Sequence, residues 1–184
     1  MEIKGTAAKT IPEFVKKRHK DRYQEWLTSL PSASKQIILN GIVSNKWYPL
    51  KEAAILPTQK MGEVLYGDAL KGAWECGKYS AEVGLTGIYK VYVKFSKPEH
   101  IIDRAGRIFS AYYAPSEMES TNKQNNSVDV LIKSFPEPST VIEHRIGGWM
   151  ETAMQISGCD NVKVDIQTSL TKGDKETRYR VSWS

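Results

Sequence analysis

The sequence predicts an α+β domain in which N-terminal helices pack on a small antiparallel sheet and a long helix leads into a C-terminal β-hairpin. Residues 162–168 and 177–183 alternate apolar and polar side chains, the period-two pattern of half-buried strands, and a Gly-containing turn at 171–174 joins them. Upstream, residues 139–157 show helical spacing and end at Gly158, a residue suited to a left-handed helix stop. Helices come first and strands later along the chain, the order typical of an α+β fold.

Composition limits the class of protein. With 184 residues, 40% of them hydrophobic, the chain is long enough to bury a core as one domain without disulfides or metals. The net charge is only +5 and much of the excess lies in one predicted helix, which indicates a solvated helix face and no nucleic-acid partner. No apolar run approaches the ~18 residues of a membrane span. The N-terminus has no secretory h-region, so we expect a soluble, cytoplasmic protein.

The two cysteines, Cys76 and Cys159, lie far apart, and neither belongs to a Cys-x-x-Cys pair. We expect two buried thiols in a reducing compartment, with a disulfide or a shared metal as the alternatives. The chain also lacks a His-Glu-x-x-His pair, and we predict no metal site.

The N-terminal region is expected to be helical after a short flexible segment. Residues 1–9 are polar, so we predict a flexible N-terminus followed by a single α+β domain over 10–184. The run Thr10-Ile11-Pro12-Glu13 has the form of a capping box, and an amphipathic helix over 11–29 follows it. Pro31 ends this helix.

The next elements are read from short apolar runs and prolines. Residues 35–43 are apolar and bounded by Asn and Ser, which favours a buried strand. A helix then begins at Tyr48-Pro49-Leu50, pauses at Pro57 and resumes to Tyr66. Gly67-Asp68 breaks the helical pattern, and Asp68 is placed to cap another helix that ends near Val83.

The region before the sheet contains one ambiguous segment and one clear helix. Residues 88–95 alternate as a strand does, yet their apolar side chains also fit helical spacing. Ser96-Lys97-Pro98-Glu99 is a second capping box and opens a helix over 97–112. A polar loop, with a possible weak strand, follows before a firm strand at 128–134.

Catalytic signatures are absent from the sequence. There is no Gly-rich phosphate loop and no Gly-x-Ser-x-Gly elbow, and acidic pairs such as Glu143 and Glu151 have the two-turn spacing of a solvated face. We therefore predict no catalytic residues, and an enzyme is the least supported interpretation. Among the histidines, His100 lies in the first turn of the 97–112 helix, ahead of an apolar face. It is the candidate for an axial haem ligand, with a surface or capping role as the alternative.

Aromatic residues and a glycine pair indicate where helices pack. Four of the five tryptophans, Trp26, Trp74, Trp149 and Trp183, fall on the apolar sides of their predicted elements, as core residues or as the walls of a ligand chamber. The pair Gly147-Gly148 costs roughly 1 kcal/mol per glycine inside a helix. Such a cost indicates a close approach by another backbone or a ligand, and tight packing of the helix on the sheet is the favoured cause.

Several markers in this order resemble a bacterial domain family of unknown function over about residues 35–184. That family is similar to the superfamily that includes 4-vinyl reductase domains, haem nitric-oxide-binding domains and the small subunits of the vesicle-tethering TRAPP complex. The markers are Tyr48-Pro49-Leu50, Leu70-x-x-x-Trp74-x-x-Gly77, Pro98 opening the helix to Tyr112, Gly147-Gly148-Trp149-Met150-Glu151-x-Ala153, Gly158-x-x-Asn161-Val162-Lys163-Val164 and Tyr179-x-Val181-x-Trp183.

The resemblance implies helices packed on a small antiparallel sheet and indicates that residues 88–95 are helical. It also implies a function class, because members hold small hydrophobic ligands (haem, porphyrin-like molecules, acyl chains) or use the same surface to dimerise. Two family motifs are missing. The haem-binding branch has a Tyr-x-Ser-x-Arg motif, of which Arg178-Tyr179-Arg180 is only a faint echo. The cysteine cluster of 4-vinyl reductase domains is the second missing motif, with only Cys159 near a suitable place.

We therefore expect a non-enzymatic small-molecule-binding or sensory domain with an apolar pocket between the helices and the sheet. The ligand would be hydrophobic or tetrapyrrole-like, haem included. The candidate ligand-binding residues are Trp74, Tyr92, His100, Phe109 and Trp149. The alternative is a homodimeric interaction or adaptor module whose pocket is filled by side chains. An enzyme acting on a tetrapyrrole-like or other apolar substrate comes third.

Overall fold

Two antiparallel sheets and the helices around them make up the described part of the chain. The computed structural model describes residues 1–85 and 98–184, apart from the side chains of residues 99 and 100. The segment 88–95, expected to be helical, lies outside the described residues. In chain order the elements are β1 (Glu2–Lys4), α1 (Gly5–Ala8), α2 (Thr10–Arg18), α3 (Tyr23–Ser29), α4 (Ser32–Leu39), β2 (Trp47–Pro49), α5 (Leu56–Tyr66), α6 (Ala69–Leu85), α7 (Pro98–Tyr112), β3 (Tyr113–Ala114), β4 (Glu117–Gln124), β5 (Ser127–Ser134), α8 (Thr140–Ile156), β6 (Lys163–Thr168) and β7 (Thr177–Ser182).

The larger sheet has four antiparallel strands in the order β4-β5-β7-β6. In β7, Tyr179 and Val181 are buried against the helices, as the alternating pattern requires. They pair with Val130 and Val128 of β5, so one face of the sheet is continuously apolar at its centre. The α+β class and the C-terminal hairpin that the sequence predicts are both confirmed.

The smaller sheet corrects the expectation of a flexible N-terminus. Its strand order is β2-β1-β3, which makes Glu2–Lys4 the central strand. Ile3 is fully buried and pairs with Tyr48 on one side and Tyr113 on the other. The N-terminal sequence could not reveal this strand, because both of its partners come from distant segments.

No helix in the described ranges is both long and apolar enough to cross a bilayer.

Two helical assignments differ from the sequence expectation. The strand predicted at 35–43 is wrong, because this region forms α4, with Ile38 buried and Leu39 exposed. Consecutive apolar residues fit either period, and the tertiary contacts of Ile38 decide for a helix. The continuous helix over 11–29 is also wrong. The chain breaks at His19, whose φ of −140° separates α2 from a 3₁₀ turn at Lys20–Arg22 and then α3.

The region around Pro57 also differs in detail. The three residues expected to open the helix at Tyr48 lie partly in β2, and the helical path starts with a π-helical turn at Lys51–Ile55. This turn runs into α5 without a pause, and Pro57 is the second residue of α5. The Pro57 carbonyl accepts a hydrogen bond from the buried indole of Trp26 (3.0 Å). Trp26 is therefore a core residue.

Helices α6 and α8 cross at backbone contact. The predicted cap of α6 is confirmed, since Asp68 Oδ1 accepts hydrogen bonds from the backbone N–H groups of Leu70 and Lys71. A Cβ atom on Gly77 would lie 2.0 Å from the carbonyl oxygen of Arg145, and one on Gly148 would lie 2.1 Å from that of Trp74. The glycine pair of α8 therefore packs on another helix, and the favoured expectation of helix-on-sheet packing is wrong.

The outer face of the larger sheet carries a buried ion pair. Asp129 of β5 is 4% exposed, and its carboxylate accepts hydrogen bonds from Arg180 Nη1 (2.9 Å) and Asn122 Nδ2 (2.7 Å). Burial alone would raise the pKa of Asp129, but these two hydrogen bonds and the charges of Arg180 and Arg178 together hold it below its ordinary value. The folded state therefore favours the ionised form of Asp129.

Substitution of the crossing glycines is expected to destabilise the fold. We expect Gly148→Ala and Gly77→Ala each to lower the free energy of unfolding by about 1–3 kcal/mol or more, because the new methyl group meets a backbone carbonyl. The control is Gly84→Ala in α6, where the nearest heavy atom of the described residues is Tyr112 Oη at 4.0 Å. It should stabilise by up to about 1 kcal/mol through helix propensity. Urea unfolding measures all three, and Gly148→Ala as stable as Gly84→Ala would contradict the backbone contact.

Asp129 should make stability depend on pH in the acid range. Its pKa is lowered in the folded state, so its contribution is fully present above the unfolded value of about 3.9 and is lost as pH falls through the folded pKa. Asp129→Asn is expected to cost about 1–3 kcal/mol at pH 7, since it weakens the bonds to Arg180 and Asn122. The difference from wild type should shrink below pH 4.

Denaturant unfolding at several pH values tests this expectation. Glu25→Gln, which removes an exposed ion pair with Arg22, is the control and should change nothing measurable. A constant difference between wild type and Asp129→Asn from pH 7 to pH 3 would refute the role given to Asp129.

Candidate ligand cavity

A cavity of about 600 Å³ lies between α6, α7, α8, the inner face of the larger sheet and the N-terminal segment. Sites for small molecules and cofactors commonly have volumes of 300–1,000 Å³ and mainly apolar walls. The volume of this cavity is therefore that of a ligand site.

Helices α7 and α8 supply most of the apolar wall. The lining residues of α7 recur at three- and four-residue spacing, so they form one face of the helix. They include Ile101, Ala105, Ile108, Phe109 and Tyr112. Helix α8 adds Ile146, Trp149, Met150, Ala153 and Met154, and the sheet adds Met118, Val128, Val130 and Val181. Each of these sets follows from amphipathic spacing in its own element.

The polar part of the wall comes from the N-terminal segment, α6, the junction of α7 with β3, and one residue of α8. Its side chains are cations and hydroxyl groups: Lys4, Thr6, Lys9, Thr10, Ser80, Arg145 and the two tyrosines Tyr112 and Tyr113. Among the described lining residues there is no aspartate or glutamate. The wall is therefore apolar with a positive polar end.

Arg145 is the buried member of this polar set, with 2% of its surface exposed. Its Nη2 donates hydrogen bonds to the Ala7 carbonyl oxygen (2.8 Å) and to Thr10 Oγ1 (2.9 Å), and Nη1 donates to Tyr113 Oη (3.1 Å). Its Nε–H has no partner among the described residues. The guanidinium thus ties α8 to the N-terminal segment through neutral acceptors alone.

The ionisable neighbours of Arg145 do not neutralise it. Burial raises the pKa of the Cys76 thiol and of the Tyr113 phenol, so both groups are protonated at neutral pH. Burial opposes the charged guanidinium, but Tyr113 and Cys76 together raise the pKa of Arg145 above its ordinary value. Arg145 therefore stays charged. Cys76 and Cys159 are both buried and free, as expected from the sequence.

The predicted site residues separate into three groups. Phe109 and Trp149 line the cavity. Trp74 does not, because its indole packs over Gly147 and donates a hydrogen bond from Nε1 to Glu151 Oε2 (2.5 Å). Tyr92 lies outside the described residues. His100 belongs to α7, but its side chain is not described.

Arg145 and the sheet residues of the wall were not predicted from the sequence. One signal was available for Arg145, because its neighbours at three- and four-residue spacing are Val141, Ile142, Gly148 and Trp149. A cation on such a stripe of a helix is placed in an apolar environment. The sheet residues Val128 and Val130 were predicted as strand but not as cavity lining.

Solved structures with this fold come from H-NOX proteins. A triple mutant of an H-NOX protein from S. oneidensis in the Fe(II) ligation state has a TM-score of 0.76 at 14% identity, covering 99% of this chain and 96% of that chain. The S. oneidensis protein in the Fe(II)NO ligation state gives 0.74 at 14% identity, covering 99% of each chain. Fe(II) unliganded H-NOX protein from K. algicida gives 0.71 at 12% identity, covering 99% and 97%. The chain has the H-NOX fold.

At this identity the likeness shows the fold, and function has to be argued from the site. The predicted relation to haem nitric-oxide-binding domains is confirmed at the level of fold. The links to 4-vinyl reductase domains and to TRAPP subunits, and the bacterial origin, stay predictions. The sequence itself matches no family model and no curated protein.

A haem in this cavity would need an axial ligand, usually a His, Cys, Met or Tyr side chain. The described lining offers methionines and tyrosines but no His or Cys. Tyr113 accepts the Arg145 hydrogen bond, and the side chain of His100, the predicted axial ligand, lies outside the described part of the chain. Residues 178–180, which faintly resemble the Tyr-x-Ser-x-Arg motif, make contacts of another kind. Tyr179 donates to the Glu143 carbonyl oxygen, and its arginine neighbours bind acidic side chains.

Proposed function

We propose that this chain is a non-enzymatic, sensor-like domain that binds an apolar small molecule in the cavity. The observation that carries the proposal is the cavity of about 600 Å³ with a mainly apolar wall. An apolar chamber of this size favours binding of a ligand, because binding releases water from the apolar surface of the ligand and from the apolar wall of the cavity. No group of three or more His, Cys, Asp or Glu side chains suited to a metal is found among the described residues.

The position of α7 supports a sensory role. This helix packs on β4 and continues directly into β3, whereas the cavity separates much of it from α8. A ligand in the cavity would contact α7, α8 and the sheet at once. Such a ligand stabilises the arrangement in which these elements enclose it, and so shifts the population of α7 positions. Occupancy of the cavity is thereby linked to the conformation of a surface helix.

The fold neighbours give this proposal an analogy. H-NOX proteins of the same fold are described in Fe(II) and Fe(II)NO ligation states, so this fold holds small ligands in other chains. The adaptor alternative needs a pocket filled by side chains, whereas the described residues leave an open volume. The ligand-binding hypothesis is therefore the one that the site favours.

Native mass spectrometry of the protein as purified from cells tests the proposal. We expect the native spectrum of wild type to contain an added mass that disappears on denaturation. Ala105→Trp should remove this mass while the circular dichroism spectrum stays that of wild type, because the indole fills the cavity beside α7. Leu39→Trp places the same side chain on an exposed position and should keep the mass.

An absence of added mass in wild type, together with no rise in melting temperature on addition of apolar ligands, would contradict the proposal. An ultraviolet–visible spectrum of the same sample separates haem from other ligands. A Soret band would identify a porphyrin or haem, and a band that His100→Ala abolishes would identify haem bound through His100. A band that persists in His100→Ala would exclude His100 as the ligand.

A further inference from the structure

A buried cation without an anionic partner lies in the wall of the cavity. Arg145 is 2% exposed, and it takes part in no ion pair among the described residues. A buried charge is normally paired, because removal from water disfavours it strongly and neutral hydrogen-bond acceptors compensate only in part. The folded chain therefore holds a positive charge whose natural complement is missing from its own described side chains.

The nearest buried carboxylate on the same helix cannot supply this complement. Glu143 accepts hydrogen bonds from Ser169 Oγ and Thr177 Oγ1, which belong to the C-terminal hairpin. Its carboxylate is thus held at the sheet, whereas Arg145 contacts the N-terminal segment. The two charges of α8 are bound on different sides and do not pair.

The remaining polar groups of the cavity wall also favour an anionic group on the ligand, as Arg145 does. Lys4 and Lys9 are cations, and the hydroxyl group of Ser80 can donate a hydrogen bond to an anion. The Nε–H of Arg145 has no hydrogen-bond acceptor among the described residues, which leaves a charge-assisted donor for a ligand oxygen. The rest of the wall is apolar. The complementary molecule has an apolar body and one acidic head.

We infer that the cavity takes an apolar carboxylic acid, with its carboxylate paired to Arg145 and its apolar body between α7, α8 and the sheet. This inference rests on the proposed function and names the ligand class for the same site. Two kinds of molecule share this chemistry, an acyl chain with a carboxylate and a porphyrin with carboxylate side chains. The experiment distinguishes them.

The test compares acids with uncharged partners of the same body. The acyl pair is hexadecanoic acid and hexadecan-1-ol, and the porphyrin pair is protoporphyrin IX and its dimethyl ester. Dissociation constants are measured on the full chain by tryptophan fluorescence, since Trp149 lines the cavity. We expect the acid of at least one pair to bind at least about tenfold more tightly than its uncharged partner, because only the acid neutralises Arg145.

The variants assign this preference to Arg145. Arg145→Gln should lose the preference for the acid while binding of the uncharged partner changes little. Lys133→Gln removes one positive charge from the exposed outer side of the sheet and should keep the preference. Should Arg145→Gln not fold, the comparison of acid with uncharged partner in wild type decides alone, and Arg145→Lys, which keeps the charge, should retain the preference.

The outcomes separate the inference from the function on which it rests. A preference in the acyl pair assigns an acyl carboxylate, and a preference in the porphyrin pair alone assigns a porphyrin carboxylate. Equal affinities in both pairs, or a preference that survives in a folded Arg145→Gln, would overturn the inference while leaving ligand binding intact. Binding of no probe overturns the inference too, and the native mass experiment then decides whether the cavity binds any ligand.

Discussion

The crossing of α6 and α8 at backbone contact is the constraint on which the rest of the structure depends. Gly77 and Gly148 have no side chain at the crossing, so a carbonyl group of each helix lies against a glycine of the other, and Gly147 makes room for the indole of Trp74. A contact of this kind fixes the rotation of α8 as well as its distance from α6. Trp74 consequently packs over α8 outside the cavity, while Trp149 of α8 faces into it.

The fixed rotation of α8 distributes two buried charges to opposite parts of the fold. Glu143 is held by hydroxyl groups of the C-terminal hairpin, and Arg145 is held by the N-terminal segment and Tyr113. Arg145 thereby links residues 7–10 to the core, which agrees with the ordered strand β1 that precedes them. Both charges are costly to bury, and only the cation lies in a wall of the cavity. This asymmetry gives the cavity a chemical preference.

The sequence predicted the parts of the fold whose period is unambiguous. The C-terminal hairpin, α7 and α8 follow from alternation, capping and helical spacing, which are local properties of the chain. Strand β1 and helix α4 were not predicted, because three residues of strand depend on distant partners and consecutive isoleucines fit both periods. For the site, apolar spacing placed Phe109 and Trp149 in the cavity wall. It indicated an apolar environment for Arg145 but not its role, which depends on the groups from distant segments that surround it, and it did not reveal the position of Trp74 relative to the helix crossing.

A crystal structure of the wild-type chain grown with 2-bromohexadecanoic acid tests the central claim most directly. The bromine beside the carboxylate reports the position of the head group through its anomalous signal. The account predicts a carboxylate oxygen about 3 Å from the Arg145 guanidinium, with the acyl chain between α7 and α8. A carboxylate bound in the cavity but away from Arg145, with the contacts of Arg145 to Ala7 and Thr10 unchanged, would contradict the account.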